Sequence, residues 1–466
     1  MLELKGSKVL VLGLGETGLS MTRWLGRHGA RVTVADTRAA PPRAAELARE
    51  SPDIRLECGE LNEATVRAAD WIAISPGVDR RTPAVAAAIK RRVRVVGDVE
   101  LFTQALATLI PHSSTLGAPQ IIAVTGTNGK STVTSMAGAI CARAGLDTVV
   151  AGNIGLPVLD ALTAIEDGRP LPDAFVMELS SFQLESTASL DAHAATMLNL
   201  SEDHLDRYDS VADYAAAKSR VFNGSGAQIL NRDDRVSRSM ALPERTVYRF
   251  GLDAPQDDAE WGIAQERGTL WLARGQHNLL CVDELPVAGM HNAANALAAG
   301  ALCHAIGISD APLAAALRAF TGLPHRVEKI TVIRGVTFYD DSKGTNVGST
   351  VAALSGFAQP VVLIAGGDGK GQDFSPLREP VARHARAVVL IGRDRERIAA
   401  ALDGCGVPLV RADDMQQAVR DALAAARRGD AVLLSPACAS YDMFTNYGQR
   451  GDVFAAAARD LATSSE

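Results

Sequence analysis

The chain has 466 residues, 47% of them hydrophobic and 22% charged, a composition usual for packed globular proteins. At roughly one domain per ~150 residues, that length predicts about three domains. A formal net charge of −7 and a pI near 5.8 argue against a nucleic-acid partner, which needs a basic face.

No secretory leader is expected, because Lys5 and Lys8 run straight into a strand-like segment and a glycine turn. The six cysteines (Cys58, Cys141, Cys281, Cys303, Cys405 and Cys438) include no Cys-x-x-Cys pair, which reads as reduced, mostly buried thiols in a cytoplasmic protein. The longest uncharged stretch, 285–308, holds His291, Asn292, Asn295 and His304, so it suits a buried helix rather than a membrane span. A soluble enzyme without a membrane partner is the expectation.

Residues 8–14 form an apolar, β-branched run ending in Gly13-Leu14-Gly15-Glu16-Thr17-Gly18. A helix to Gly29 and a strand over 31–35 follow, with Asp36 at the strand's end. Gly-x-Gly-x-x-Gly with an acidic residue about twenty positions on fits the dinucleotide fingerprint. Alone it shows that a helix N-terminus can meet a diphosphate, which NAD and a UDP-linked molecule both carry. An NAD-dependent dehydrogenase is therefore a rival reading. Further strands are predicted at 71–75 and 93–96, and the Pro/Gly/Ser-rich stretch 111–119 reads as a linker.

The most informative segment comes next. A buried-strand pattern, residues 121–124, runs into Thr125-Gly126-Thr127-Asn128-Gly129-Lys130-Ser131-Thr132, and a helix is predicted over 133–144. Backbone N–H groups in such a turn, together with the helix N-terminus, cradle phosphate. Lys130 would reach the terminal phosphates, and Ser131 or Thr132 would hold Mg²⁺. The general loop has its first glycine where this chain has Val124, so the signal points to a subgroup of such loops. A dehydrogenase has no use for this segment.

Later strands are predicted at 175–179, 195–200 and 228–231, with short strands or hairpins over 242–286. A third series starts near Arg326, with strands at 336–339, 361–365, 387–391 and 431–435. Strands alternating with helices predict α/β domains with parallel sheets. Glu178, at the end of a strand beside the phosphate loop, is well placed for Mg²⁺, although an isolated Glu is more often a surface residue. His204 lies in a polar loop after a strand and could be structural or a ligand. Lys218, in Tyr214-Ala-Ala-Ala-Lys218, reads by itself as a solvated helix lysine.

Taken together, Gly126–Thr132, Gly152-Asn153-Ile154-Gly155, Glu178–Gln183, Glu202-Asp203-His204, His291–Asn295, Leu323–Glu328, Asp341–Asn346 and Ser435–Ser440 resemble the ATP-dependent Mur ligases over residues 8–454. The resemblance implies three consecutive α/β domains: 1–110, Rossmann-like and UDP-substrate-binding; 111–323, a central P-loop-type ATPase; and 324–466, Rossmann-like and amino-acid-binding. It implies ATP and two Mg²⁺ as cofactors, UDP-N-acetylmuramoyl-L-alanine and D-glutamate as substrates, and a monomer. Gly126, Thr127, Asn128, Gly129, Lys130, Ser131 and Thr132 would bind ATP, with Asn292, Asn295, Arg326 and Asp341 from across the gap between the second and third domains. Ser131, Glu178, His204 and a carbamylated Lys218 would hold metal; Lys130, Glu178, His204 and Lys218 would form the catalytic set. Gly15, Glu16, Thr17, Asp36, Thr37, Arg38, Gly77, Asn153 and His204 would take the UDP substrate, which turns the N-terminal fingerprint from NAD to UDP. Lys343, Thr345, Lys370, Ser440, Tyr441 and Tyr447 would bind D-glutamate, the two tyrosines at positions where family side chains vary. A sister ligase for another amino acid, folylpolyglutamate synthase included, remains the alternative within the class.

Overall fold

A computed structural model describes residues 3–110, 118–204, 207–287 and 289–463. Most of the predicted 111–119 linker lies outside the described residues. The chain forms two compact units, one of residues 1–200, 212–250 and 298–315, the other of 201–211, 251–297 and 316–466.

The first unit opens with five parallel strands: β1 (Lys8–Leu12), β2 (Arg31–Asp36), β3 (Arg55–Cys58), β4 (Trp71–Ile74) and β5 (Arg94–Val96), ordered β3-β2-β1-β4-β5. Chain order reverses beside β1, so the loops after β1 and β4 diverge and leave a crevice at the strand ends. A second parallel array follows: β6 (Gln120–Thr125), β7 (Thr148–Gly152), β8 (Ala174–Glu178), β9 (Ala194–Met197), β10 (Ala227–Asn231) and β11 (Val247–Phe250), ordered β11-β10-β9-β6-β8-β7. Here β6, which feeds the phosphate loop, lies between β8 and β9. One continuous core joins the two arrays; Phe102 from the helix Asp98–Leu109 meets Phe175 of β8 edge-to-face at 5.1 Å.

The second unit contains the antiparallel strands β12 (Glu260–Glu266), β13 (Thr269–Arg274) and β14 (His277–Cys281). It also holds a six-stranded sheet of β15 (Glu328–Ile333), β16 (Val336–Asp340), β17 (Val361–Gly366), β18 (Ala385–Ile391), β19 (Leu409–Arg411) and β20 (Ala431–Leu434), ordered β15-β16-β20-β17-β18-β19. All six residues of β17 are buried, as expected of a strand covered on both faces.

The α/β reading and the hairpins near 242–286 are both present. The phosphate-loop helix spans Lys130–Arg143, three residues earlier than predicted, because Gly129 (φ +82°) turns the chain directly into it. The strand predicted over 195–200 stops at Met197, since Leu198 and Asn199 bond to the phosphate loop instead: Leu198 N–H donates to Thr125 O, and Asn199 O accepts from Thr127 N–H. Among the described residues no helix is long and apolar enough to cross a membrane, and all six cysteines are free.

Candidate active site

The crevice above β1 is a cleft of about 490 Å³. Its lining brings together Gly15, Glu16, Thr17, Asp36, Thr37, Arg38, Gly77 and Asn153, eight of the nine residues predicted for the UDP substrate. Glycine is obligatory at Gly18, where a Cβ would stand 1.8 Å from Gly13 O, so the helix can approach the strand end. Asp36 accepts from Leu14 N–H at 2.7 Å and from the Arg38 guanidinium at 2.6 and 2.9 Å. Burial pushes this carboxyl up, but the Arg38 guanidinium and the backbone N–H groups of Leu14 and Arg38 hold it below its ordinary value. Glu16 is ion-paired with Arg43.

At the end of β6 the phosphate loop is fixed from beneath. Asn128 N–H donates to Asn199 Oδ1 at 2.8 Å, and Asn199 Nδ2 donates back to Asn128 O at 3.1 Å. No side chain caps the helix that Lys130 opens. Lys130 Nζ curls back to Gly126 O at 2.9 Å and Thr127 O at 2.7 Å. Ser131 and Thr132 are buried behind it.

Lys218 is not solvated. It is 1% exposed, its Nζ donating to Gly126 O at 2.7 Å and lying 4.6 Å from the Tyr214 ring centroid. This overturns the reading of that residue in isolation: Tyr214 and Lys218, four apart on one helix, share a buried face lined by small residues. Two ammonium groups thus converge on one carbonyl, Gly126 O.

Glu178 ends β8 in register with Val124 of β6, and it is 1% exposed rather than on the surface. Its Oε1 accepts from Asn153 Nδ2 at 2.6 Å, while its buried Oε2 has no hydrogen-bond partner. A buried carboxylate oxygen without a donor suits a cation. Asn153 thereby lines the cleft and grips the carboxylate next to the phosphate loop.

The remaining predicted residues belong to the second unit. His204 has a positive φ of 56°, with its N–H held by Asp203 Oδ1 and its Nε2 3.7 Å from Asp203 Oδ2. Asn295 Nδ2 donates to Asn292 Oδ1 at 3.2 Å. Asp341 accepts from Ser435 Oγ at 2.7 Å; burial pushes its carboxyl up to about 7, with the Arg326 charge pulling the other way. Lys343 Nζ stands 3.7 Å from the Tyr447 ring centroid, so Tyr447 offers a cation–π face. Lys370 is exposed, with a positive φ of 48°. Ser440 is buried, Tyr441 is 73% exposed, and Thr345 N–H donates to Lys343 O.

The sequence reading gave no role to three residues that hold this machinery. Asn199 fixes the phosphate loop. His325 bonds Asp340 at 2.7 Å, and with Glu328 these form, among the described residues, the one side-chain group close enough to share a cation; it is not the predicted metal set. Arg450, buried, donates to Ser342 O, Ser342 Oγ and Cys438 O, bracing the turn before Lys343. Only Asn199 and His325 stood within or beside a recognised motif; Arg450 lies in an otherwise ordinary helix.

A phosphate loop after a central parallel strand, a dinucleotide-type cleft beside it and a further α/β sheet define a multidomain nucleotide-binding fold. Three family models match the chain: the Mur ligase MurD-like N-terminal domain over 7–97, the Mur ligase middle domain over 124–303 and the Mur ligase glutamate ligase domain over 325–438. The chain belongs to the Mur ligase family. It is 56% identical to a UDP-N-acetylmuramoylalanine–D-glutamate ligase of Thiobacillus denitrificans, covering 99% of this chain and 98% of that one. A protein of the same name from Nitrosospira multiformis is 54% identical, with 99% and 97% covered. Solved structures share the fold: MurF from Acinetobacter baumannii (TM-score 0.62, 16% identity, 98% of this chain and 92% of that one) and the UDP-N-acetylmuramate-alanine ligase MurC from Thermotoga maritima (0.59, 18%, 99% and 100%).

Proposed function

We propose that this chain is an ATP-dependent amide ligase that adds D-glutamate to UDP-N-acetylmuramoyl-L-alanine in the cytoplasm, a step of peptidoglycan precursor synthesis. The likeness over nearly the whole chain to two ligases of that name supports the substrate pair. The observation that carries the reading is Asn153, shared between the cleft and Glu178 beside the phosphate loop. A molecule bound in the cleft with its reacting end at Asn153 would meet phosphoryl chemistry there, which a dehydrogenase does not need.

On this reading residues 1–110 bind the UDP substrate, 111–323 serve ATP and 324–466 receive D-glutamate. An alanyl carboxylate oxygen attacks the γ-phosphorus of ATP; the bond to the β–γ bridging oxygen breaks and ADP leaves. The D-glutamate amine then adds to the acyl carbon, loses a proton, and the tetrahedral intermediate expels inorganic phosphate to leave the amide. Such chemistry is mostly alignment and charge neutralisation. Lys130 sits within the loop that would cradle the triphosphate, and Glu178 with its orphan oxygen, Ser131, His204 and Lys218 would hold two Mg²⁺. Bound there, the ions would offset repulsion between the attacking carboxylate and the triphosphate. Carbamylation of Lys218 would replace one of two neighbouring cations with an anion, relieving their repulsion and supplying a ligand. Lys343, Thr345, Lys370 and Ser440 suit the two carboxylates of D-glutamate, with Tyr447 holding Lys343 and Tyr441 at the rim. Asn292, Asn295, Arg326 and Asp341 complete the ATP set. The protein acts as a monomer.

The deciding measurement is the product mass after incubation with ATP, UDP-N-acetylmuramoyl-L-alanine and D-glutamate. A gain of one glutamyl residue with stoichiometric ADP is expected. A gain only with a diamino acid or a folate acceptor would transfer the chain to a sister activity, and tight NADH binding would return the first sheet to the dehydrogenase reading.

A further inference from the structure

The loop after β17, residues 366–371, is built under strain. Gly366, Gly367 and Gly371 have positive φ, and so does Lys370, at 48°, where a non-glycine residue is disfavoured. Such a conformation persists only if its surroundings over-determine it, and these do. Asp394 Oδ2 accepts from Gly369 N–H at 2.7 Å, while Asp394 N–H donates to Gly367 O at 3.0 Å. Asp368 Oδ1 accepts from Lys370 N–H at 3.0 Å and is ion-paired with Arg393 at 2.5 Å. Asp368 also exchanges both backbone hydrogen bonds with Ala439, the neighbour of Ser440. Gly369 has no room for a side chain: a Cβ would lie 2.6 Å from Phe374 and 3.1 Å from Asp394 Oδ2.

We infer that Asp394, the residue after Arg393 in the turn beyond β18, is a positioning residue for the amino-acid substrate. It acts through Gly369 to hold Lys370 in its left-handed conformation, at a fixed offset from Ser440. The carboxylate does not itself touch the substrate. It fixes where the Lys370 ammonium is presented, so that one carboxylate of the incoming amino acid meets a pre-set cation instead of a mobile one. Arg397, its guanidinium 3.6 Å from Asp394 Oδ1 and 5.4 Å from the Phe374 ring centroid, helps fix the direction of the Asp394 carboxylate toward the loop.

The inference rests on the D-glutamate reading of this site, and the test separates the two. Wild type, Asp394→Ala, Lys370→Ala and the double variant are compared by steady-state kinetics with each of the three substrates varied. Asp394→Ala should raise KM for D-glutamate by about tenfold or more, the scale of one charge-assisted hydrogen bond. KM for ATP and for the UDP substrate should stay within about twofold, because those sites lie on other elements. The double variant should be no worse than Lys370→Ala alone, since a group that acts only through Lys370 has nothing left to position. Asp394→Asn keeps an acceptor for Gly369 N–H and should recover most of the D-glutamate affinity; it also serves if the alanine variant fails to fold. An unchanged KM for D-glutamate in Asp394→Ala, equal losses for all three substrates, or additive losses in the double variant would each overturn the inference. A wild type that turns over ATP but incorporates no D-glutamate would instead overturn the functional reading.

Discussion

Lys130 and Lys218 both reach Gly126 O, yet the proposed chemistry uses them in opposite senses, one as a cation on phosphate and the other as a carbamate on metal. Lys130→Ala should lower phosphate release by about 10²–10³-fold, the usual loss when a preorganised charge is removed from a transition state. Calorimetric affinity for the UDP substrate should be nearly unchanged, and an equal loss there would show that the cleft and the loop are not separate sites. Lys218→Ala should be inactive but partly restored by acetate or formate, which could replace the carbamate; no response to added acid would leave Lys218 a structural residue. Asp341 supplies a stability signature. Its carboxyl titrates at 3.8 when unperturbed and at about 7 in the fold, so between those values the folded state holds the extra proton. Stability contributed at this site therefore falls as pH rises from about 4 to about 7. The melting temperature of the wild type, measured against Asp341→Asn, should drop across that window and level off above it, whereas a flat difference would mean Asp341 ionises normally.

Elements were more legible than their ends. The apolar runs at 8–14, 361–365 and 387–391 announced β1, β17 and β18, because a strand covered on both faces needs nearly continuous hydrophobic sequence. The helices Ala44–Glu50 and Glu63–Ala68 bury one residue each and carried no periodic signal. The stop of β9 at Met197 was hidden, since it depends on Asn199 meeting a loop seventy positions earlier in the chain, roughly the reach at which local pattern carries nothing. Lys218 taken in isolation looks solvated for a related reason: its burial is set by packing against the phosphate loop, and Tyr214 one turn before it is the local clue. The Asn199 side chain makes two hydrogen bonds to the loop, both lost in Asn199→Ala, while its backbone carbonyl still accepts from Thr127 N–H. That variant should raise KM for ATP about tenfold and leave the UDP cleft untouched, each lost bond to a buried group costing roughly 1–3 kcal/mol. An unaltered KM would mean that the glycine geometry alone keeps the loop in shape.

For the whole molecule, composition pointed to a packed globular chain, the alternation of strands with helices to α/β domains, and the motifs to the family. What they could not convey is that the first two α/β arrays share one core. Chelation by EDTA should abolish ADP formation and Mg²⁺ should restore it; undiminished turnover without divalent ions would refute the role given to Glu178 Oε2.

The Phe102–Phe175 contact has a practical corollary. Expressed alone, residues 1–110 would bare the aromatic underside of the Asp98–Leu109 helix to water and should precipitate or bind dyes such as ANS, although this stretch contains every strand of its own sheet. Ligand screens against the isolated first segment would then sample a damaged surface, and the smallest trustworthy target is a fragment that keeps both arrays.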